Sequence, residues 1–397
     1  MSSQRLSSTI LLPRADRSLV PFTVPDTVSL PPNDPALWPR VAYAAAHVVA
    51  DPVGTATPWS SAAGVAAVDW DATLAYRRHL WSLGFKIAEA MDTSQRGMGL
   101  DCPTARELIG RSLAEARTIP GADLACGAGT DHLDPADART VDDVIRAYEE
   151  QVGAVEGLGG RVILMASRAL ARVARGPDDY IRVYDRILSQ TANKVVLHWL
   201  GAMFDPALAG YWGGADFKAA LPTVLAIIEA HRGKVEGIKI SLLDARYEIA
   251  LRRRLPHGVL MFTGDDFNYP ELIAGDEAGA SHALLGIFDA IAPVAASALT
   301  ALGRGDRAGF DRLLAPTVPL SRTIFEAPTQ FYKAGVVFLA WLNGHQDHFA
   351  MIGGMQSARG IVHYAEVFRL AAEAGLLADP VRATSRMRGL LSIHGVA

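Results

Sequence analysis

Eight short apolar runs alternate with amphipathic segments along most of the chain, and this alternation constrains the fold more than any other feature. Continuous apolar runs separated by segments of helical period, such as "PTARELIGRSLAEART", are typical of parallel strands covered on both faces. Eight such units over roughly 250 residues predict a (β/α)8 barrel. A doubly wound sheet is the structural alternative, although no glycine-rich dinucleotide loop follows the first run. The runs are 41–50, 85–91, 122–129, 160–167, 194–201, 235–241, 258–264 and 280–288.

The strand pattern ends before the chain does. Residues 1–40 are predicted to be a proline-rich lead-in, 41–303 the barrel, and 304–397 a helical domain. Within the last part, "AGVVFLAW" is apolar nearly all round. Such a helix must be buried, and we expect it to lie against the barrel or in an oligomer interface.

Composition excludes several classes of function. The chain has 397 residues and a net charge of −4, so no basic footprint indicates nucleic acid. No run of ~18 apolar residues predicts a membrane span, and the N-terminus lacks the apolar region of a signal peptide. Two cysteines, Cys102 and Cys126, do not make a disulfide framework. We therefore expect a cytoplasmic protein with no membrane or nucleic-acid partner.

Lys239 interrupts the apolar run "VEGIKIS". A charged amine in a core costs several kcal/mol unless it is paired or deprotonated. A lysine inside a partly desolvated barrel has a lowered pKa, which supplies a neutral nucleophile for Schiff-base formation with a ketone or aldehyde. The alternative is a structural lysine that pairs with a strand-end carboxylate or points to solvent.

Polar residues near the ends of the runs are the other site candidates, because active sites of this fold gather at the C-terminal ends of the strands. His198 could equally be a packed core residue, "DTSQRG" a helix cap, and the two aspartates of "TGDD" caps of the next helix. The candidates are His47, Glu89, Asp92, Thr93, Ser94, Arg168, His198, Asp265 and Asp266.

Three segments, "EAMDTSQRGMGLDCPTARELI", "GIKIS" and "MFTGDD", resemble the dihydrodipicolinate synthase / N-acetylneuraminate lyase family of Schiff-base aldolases. The resemblance implies a TIM barrel with a helical C-terminal extension. It implies that Lys239 forms the Schiff base and that Thr93 and Ser94 are the hydroxyl pair that binds a substrate carboxylate and relays protons. "YAAAHVVADP" and "FYKAGVVFLAWLNGHQDHF" are similar to a bacterial branch described only as a domain of unknown function.

The chain departs from the family pattern around the lysine. His198 stands where the family has the strand-five tyrosine, and Ser167 and Arg168 replace the strand-four tyrosine pair. No arginine of the family's carboxylate clamp occurs in "GAMFDPALAGYWG".

These features predict a lyase or aldolase that forms a Schiff base with a keto acid, keto sugar or keto-sugar acid and needs no cofactor. Lys239 is the predicted nucleophile and His198 the acid/base, while Thr93 and Ser94 hold a carboxylate or hydroxyl. Glu89, Asp92, Arg168, Asp265, Asp266 and His47 are predicted to bind substrate. We also expect a homo-oligomer, a dimer or tetramer.

Two other functions remain open at this point. His47, Glu89, His198 and Asp265 are residue types that bind Zn, Mn or Mg, which would suit a metal-dependent isomerase, epimerase or aldolase on the same barrel. The less favoured possibility is a sugar-binding barrel without catalysis.

Overall fold

The computed structural model of the chain describes residues 9–54 and 66–396. Two strands at the N-terminus, β1 (Thr9–Pro13) and β2 (Leu19–Thr23), form an antiparallel hairpin. Eight parallel strands follow and close into a barrel in sequence order, with the last strand pairing with the first. They are β3 (Ala42–Ala45), β4 (Lys86–Glu89), β5 (Leu124–Ala128), β6 (Arg161–Leu164), β7 (Val195–Leu200), β8 (Val235–Ser241), β9 (Leu260–Thr263) and β10 (His282–Leu285).

The closed barrel confirms the predicted fold and rejects the doubly wound sheet. Each of the eight apolar runs contains one barrel strand. The helices around and after the barrel are α1 (Trp70–Ser82), α2 (Cys102–Ala116), α3 (Val141–Gly157), α4 (Arg168–Val173), α5 (Pro177–Gln190), α6 (Phe217–Ala230), α7 (Ala245–Arg252), α8 (Tyr269–Ala274), α9 (Ile287–Ala290), α10 (Ala292–Gly303), α11 (Arg307–Leu314), α12 (Thr317–Ile324), α13 (Lys333–Leu342), α14 (Ile361–Glu373) and α15 (Pro380–Ile393).

Short polar side chains cap the N-termini of several helices around the barrel. Asp69 accepts a hydrogen bond from the first turn of α1, and Asp101 does the same for α2. Thr140 and Asp143 form a reciprocal capping box at the start of α3. Each cap satisfies backbone N–H groups that have no partner inside the helix, which sets where the helix begins.

The barrel encloses its own small apolar core, separate from the layer between strands and helices. Its interior contains Tyr43, Ala45, Ala88, Met91, Ala125, Ile163, Val196, Phe262 and Leu284. The alternate residues of the same strands, such as Ile238 and Ile240 of β8, pack outward against the helices. Because successive side chains of a strand point to opposite faces, this alternation decides which polar residues enter the barrel.

The helices after residue 304 pack on the barrel and on one another. Helix α13 contacts α9 as well as α12, α14 and α15, and every side chain of its central "AGVVFLA" is buried. The apolar helix therefore lies against the barrel of its own chain, which is one of the two locations predicted for it.

The N-terminal hairpin was not expected in the predicted lead-in. Phe22 of β2 packs edge-on against Phe368 of α14 with ring centroids 6.4 Å apart, and Arg388 donates to the carbonyl of Thr9 at 2.7 Å. The hairpin thus covers the C-terminal helices. Its two strands have only five residues each, which is too short for a clear alternating pattern.

Candidate functional site

Lys239 projects into the barrel near the C-terminal ends of the strands. It pairs in register with His198 on β7 and Phe262 on β9, so the three lie at one level of the barrel. The side chain is only 6% exposed. A Cβ on Gly264 would come within 2.7 Å of the Lys239 side chain, so the glycine permits the lysine to pass close to the backbone.

The amine of Lys239 has no fixed partner. Within residues 9–54 and 66–396, no hydrogen-bond acceptor contacts it and no carboxylate oxygen lies within 4.0 Å. Burial lowers the pKa of Lys239, and the charges of Asp92 and Asp266 offset only part of this effect. A buried amine with a depressed pKa and unused hydrogen-bonding capacity is suited to act as a nucleophile.

Asp92 and Thr93 meet a tyrosine from the C-terminal helices. The hydroxyl of Tyr332 donates to the Asp92 carboxylate at 2.9 Å and lies 2.6 Å from Thr93 Oγ1. Since the tyrosine proton is used on Asp92, the Thr93 hydroxyl donates to the tyrosine oxygen. Burial acts to raise the pKa of Asp92, but Lys333 and Lys239 outweigh it, and the pKa is lowered. The three side chains form a continuous hydrogen-bonded chain that ends on an ionised carboxylate.

Asp266 faces the lysine from the end of β9. Its carboxylate accepts the backbone N–H of Ile287 at 2.8 Å, and the residue is 4% exposed. Burial raises the pKa of Asp266 to about 7, against the opposing effects of that hydrogen bond and of Lys239. The group can therefore hold or release a proton near neutral pH.

His198 is buried beside Lys239. Its Nε2 lies 3.3 Å from Ser241 Oγ, while its Nδ1 has no partner among the described residues. Burial, with the neighbouring Lys239, lowers the pKa of His198 to about 3. The imidazole is thus neutral at physiological pH, and an acid limb in the ordinary histidine range is not expected from it. Its role as the acid/base stays a prediction, restricted to the neutral ring.

A second buried lysine, Lys333, lies at the same end of the barrel as Lys239. Lys333 begins α13 and is 1% exposed, with its Nζ 4.5 Å from the ring centroid of Tyr332. It donates to the carbonyl of Gln330 at 2.9 Å. Burial lowers its pKa to about 8, opposed by Asp92. Two amines therefore flank one carboxylate.

Aromatic side chains cover this end of the barrel. Tyr332 stacks on Phe325 with centroids 4.3 Å apart, and Phe204, after β7, meets both rings edge-on. All three are at least nine-tenths buried. The cover separates Lys239 from bulk water and preserves the low polarity that depresses its pKa.

Several predicted binding residues are occupied elsewhere. Glu89 lies on the outer face of β4, where Arg77 binds it through two hydrogen bonds of 2.8 and 3.0 Å and Ser112 through a third. His47 Nδ1 is bound to Asp289 at 2.8 Å. The prediction that Glu89 contacts substrate is not supported, because its carboxylate already binds partners that hold the barrel to its helices. The prediction for His47 stays a prediction, since its Nε2 has no partner among the described residues.

The remaining predicted residues are at the mouth but are partly used. Ser94 donates to the carbonyl of Met91 at 2.6 Å, and Asp265 accepts from the N–H groups of Phe267 and Asn268. These are the capping roles that the sequence left open. Arg168 pairs with Asp205 on the rim and is half-exposed.

The proposed metal ligands do not assemble. His47 and Glu89 have the partners given above, Asp265 caps a turn, and only His198 lies by Lys239. In the part of the chain that the structure describes, no three histidine, cysteine or acidic side chains converge on a point where they could share a metal ion. The metal-dependent alternative loses the ligand set on which it depended.

Sequence reasoning missed Tyr332, Lys333 and Ser241. A usable signal existed for the first two, since "FYKAG" places a tyrosine and a lysine at the start of a helix that is apolar nearly all round. That is the same anomaly that singled out Lys239. Ser241 follows Lys239 by two residues, so it necessarily shares the interior face of β8.

Known structures resemble this fold closely in architecture and distantly in sequence. Dihydrodipicolinate synthase from Thermotoga maritima superposes with a TM-score of 0.61 at 16% identity, covering 85% of this chain and 99% of that one. The enzyme of the same name from Bacteroides thetaiotaomicron gives 0.61 at 15% identity, covering 83% and 98%. A prophage protein of the dihydrodipicolinic acid synthase family from E. coli K12, solved in complex with pyruvate, gives 0.60 at 11% identity, covering 90% and 99%. At such low identities the superpositions show a shared fold alone.

No helix among the described residues is both long and apolar enough to cross a bilayer. Among curated proteins, none matches the sequence of this chain. Residues 10–396 match a family described as "Protein of unknown function (DUF993)". The chain therefore belongs to the DUF993 family, and it has the barrel fold of the dihydrodipicolinate synthases.

Proposed function

We propose that this protein is a Schiff-base-forming lyase or aldolase that acts on a small keto acid, keto sugar or keto-sugar acid. One observation carries the proposal. Lys239 is buried in the barrel at the end where active sites of this fold lie, its pKa is lowered, and its amine has no acceptor within the described residues. An unused buried amine is costly to keep, and Schiff-base chemistry gives it a use.

The chemistry begins with the neutral amine. Lys239 attacks the carbonyl carbon, the carbonyl oxygen takes up a proton, and the nitrogen gives up one of its own protons to give a neutral carbinolamine. A second proton converts the hydroxyl to water, which leaves, and the nitrogen lone pair forms the protonated imine. That imine withdraws the electron pair of the adjacent C–C bond when it breaks, or of a C–H bond when a proton is removed.

The hydrogen-bonded chain of Thr93, Tyr332 and Asp92 supports the proton transfers. Each hydroxyl donates toward Asp92, so a proton given up by the Lys239 nitrogen can reach the ionised carboxylate through Thr93 and Tyr332. The reverse movement, from protonated Asp92 through Tyr332 and Thr93, delivers that proton to the departing oxygen. Asp266 is a second proton carrier, because a pKa of about 7 keeps both of its forms populated near neutrality. His198 contributes a neutral hydrogen-bonding group beside the nitrogen.

The proposal is tested by borohydride trapping. Wild-type protein and the Lys239→Ala variant are incubated with a panel of keto acids and keto sugars, reduced, and read by intact mass and peptide mapping. We expect a reduced adduct on Lys239 in the wild type and none in the variant. Lys218→Ala, an exposed lysine on α6, is the matched control and should label like the wild type.

The variant should remain folded, since removing an unpaired buried amine leaves no partner unsatisfied. Full turnover by Lys239→Ala, or adducts mapped only to other lysines, would sink the Schiff-base mechanism. Tight binding of sugars by the wild type with no adduct formation would instead indicate a barrel that binds without catalysis.

A further inference from the structure

The ammonium group of Lys333 leaves most of its hydrogen-bonding capacity unused. An ammonium has three N–H donors. Within the described residues, the carbonyl of Gln330 is the one acceptor in hydrogen-bond distance, and no carboxylate oxygen lies within 4.0 Å. With the residue 1% exposed, water cannot freely serve the other two protons. A buried charged donor left in this state is expensive.

Helix stability does not account for the position either. Lys333 is the first residue of α13, where the backbone dipole presents partial positive charge and disfavours a cation. Its ammonium is held over the ring of Tyr332, whose hydroxyl binds Asp92 and Thr93. The amine thus faces the same centre as Lys239.

The group of charges formed by Lys239, Lys333, Asp92 and Asp266 has an excess of positive charge once the protonated imine forms. Formation of the protonated imine places a permanent positive charge on Lys239 beside Lys333. Asp92 supplies one negative charge, whereas burial makes Asp266 resist ionisation. An anionic group on the bound ketone would supply the missing charge and accept the unused protons of Lys333.

We infer that Lys333 binds an anionic group of the substrate, a carboxylate or a phosphate, and that the protein therefore selects ketones that carry one. This rests on the proposed Schiff-base function and narrows its substrate class. Lys333 also gives the barrel mouth a cation that comes from the helices after the barrel. The segment after strand five, "GAMFDPALAGYWG", has no arginine that could supply one.

The test compares small ketones that differ in charge. The concentration giving half-maximal borohydride trapping is measured for pyruvate, dihydroxyacetone phosphate and uncharged hydroxyacetone. The proteins are wild type, Lys333→Gln and the control Lys218→Gln. Lys333→Gln should weaken trapping of the preferred anionic ketone by roughly ten- to hundredfold, as expected for loss of a charge-assisted hydrogen bond, and change hydroxyacetone by less than about twofold. Whether pyruvate or dihydroxyacetone phosphate responds identifies the anion.

Equal weakening for charged and uncharged ketones would overturn the inference, because Lys333 would then act by holding Tyr332 and Asp92. Tighter trapping of hydroxyacetone than of both anionic ketones by the wild type would overturn it too. Lys333→Met, which keeps the apolar stem, replaces the glutamine variant if circular dichroism shows that the latter is unfolded.

Failure of the Schiff-base function would look different. If no ketone is trapped by the wild type, anion binding is measured without covalent chemistry, as the rise in Tm with pyruvate or inorganic phosphate. A rise in the wild type that Lys333→Gln abolishes would uphold the anion site alone. The absence of any rise in the wild type would reject it.

Discussion

A buried charge on the outer face of the barrel wall has hydrogen-bond partners, whereas one on the inner face has none among the described residues. On the outer face of β4, the Glu89 carboxylate accepts hydrogen bonds from Arg77, Ser112 and the backbone of Ala90. On the inner face of β8, the Lys239 amine has no such partner in the described residues. Both residues interrupt apolar runs, and both are nearly inaccessible to solvent.

The difference separates architecture from chemistry. A buried charge whose partners are all present stabilises one arrangement of strand and helix, and it has little capacity left for a ligand. A buried charge without partners destabilises the free protein and has that capacity in full. The state of the partners, more than burial itself, distinguishes the structural carboxylate from the candidate nucleophile.

Breaking the outer pair should have the largest effect on stability. Arg77→Met leaves Glu89 buried without its cation, and we expect the free energy of unfolding to fall by roughly 3–5 kcal/mol. Urea denaturation measures this. The same experiment on Lys239→Met should show little loss or a gain, because no partner is left behind.

The double variant Arg77→Met/Glu89→Leu sharpens the test. Removing both charges should recover part of the loss, since no uncompensated carboxylate remains. If Lys239→Met proved as destabilising as Arg77→Met, the two faces would not differ in the way described.

On the inner face, Tyr332→Phe should slow proton transfer, both in imine formation and at the α-carbon of the bound ketone. The variant removes the hydroxyl that joins Thr93 to Asp92, and loss of a positioned proton-transfer group typically costs ~10²- to 10⁴-fold. NMR measures this, without borohydride, as exchange of the α-protons of a ketone in D₂O in the presence of the protein. Tyr364→Phe is the matched control, because that hydroxyl donates to the Gln356 carbonyl away from the site. Exchange at the wild-type rate in the Tyr332 variant would remove the tyrosine from the pathway.

Asp266 and His198 should change the free energy of unfolding with pH in opposite directions. Asp266 has a folded pKa of about 7, above the unfolded value near ~3.9, so the folded state binds more protons between those values and stability falls as pH rises. His198 has a folded pKa of about 3, below the unfolded value near ~6.5, so its contribution is lost as pH falls through that range.

Asp266→Asn should therefore make the slope of unfolding free energy against pH more positive between about pH 4 and 6.5, and His198→Asn should make it more negative. The expected change is about 1–3 kcal/mol across that range for each variant. Parallel urea titrations at several pH values check the signs. Two variants with the wild-type slope would show that neither group is held in a perturbed state.

The barrel was predictable because its strands are apolar on both faces. The same property hid which face each polar residue takes. Glu89 and Lys239 both interrupt apolar runs, and only the register of the closed barrel shows that one points out and the other in. Lys239, His198, Thr93 and Asp92 could be expected near the C-terminal ends of the strands, because active sites of this fold lie there, whereas the outward direction of Glu89 could not be predicted.

The contact of Tyr332 with Thr93 could not be predicted from local pattern. It lies 239 residues beyond Thr93, and no spacing rule connects a barrel strand end with the start of a later helix. Only the packing of α13 on α9 brings the two hydroxyls together. Capping of turns by Ser94 and Asp265 was among the open alternatives, because serine and aspartate serve caps and ligands equally well.

The distance between Thr93 and Tyr332 along the chain also bears on how the protein is made. During translation every barrel strand leaves the ribosome before residue 332 does, so a nascent chain can close its barrel around Lys239 while the phenol is still unsynthesised. Such a chain would still lack the aromatic cover of Phe325 and Tyr332, so water would reach Lys239 and keep its amine protonated. The proposed Schiff-base chemistry would then begin only when the last helices are complete, and a half-made chain would not condense with ketones.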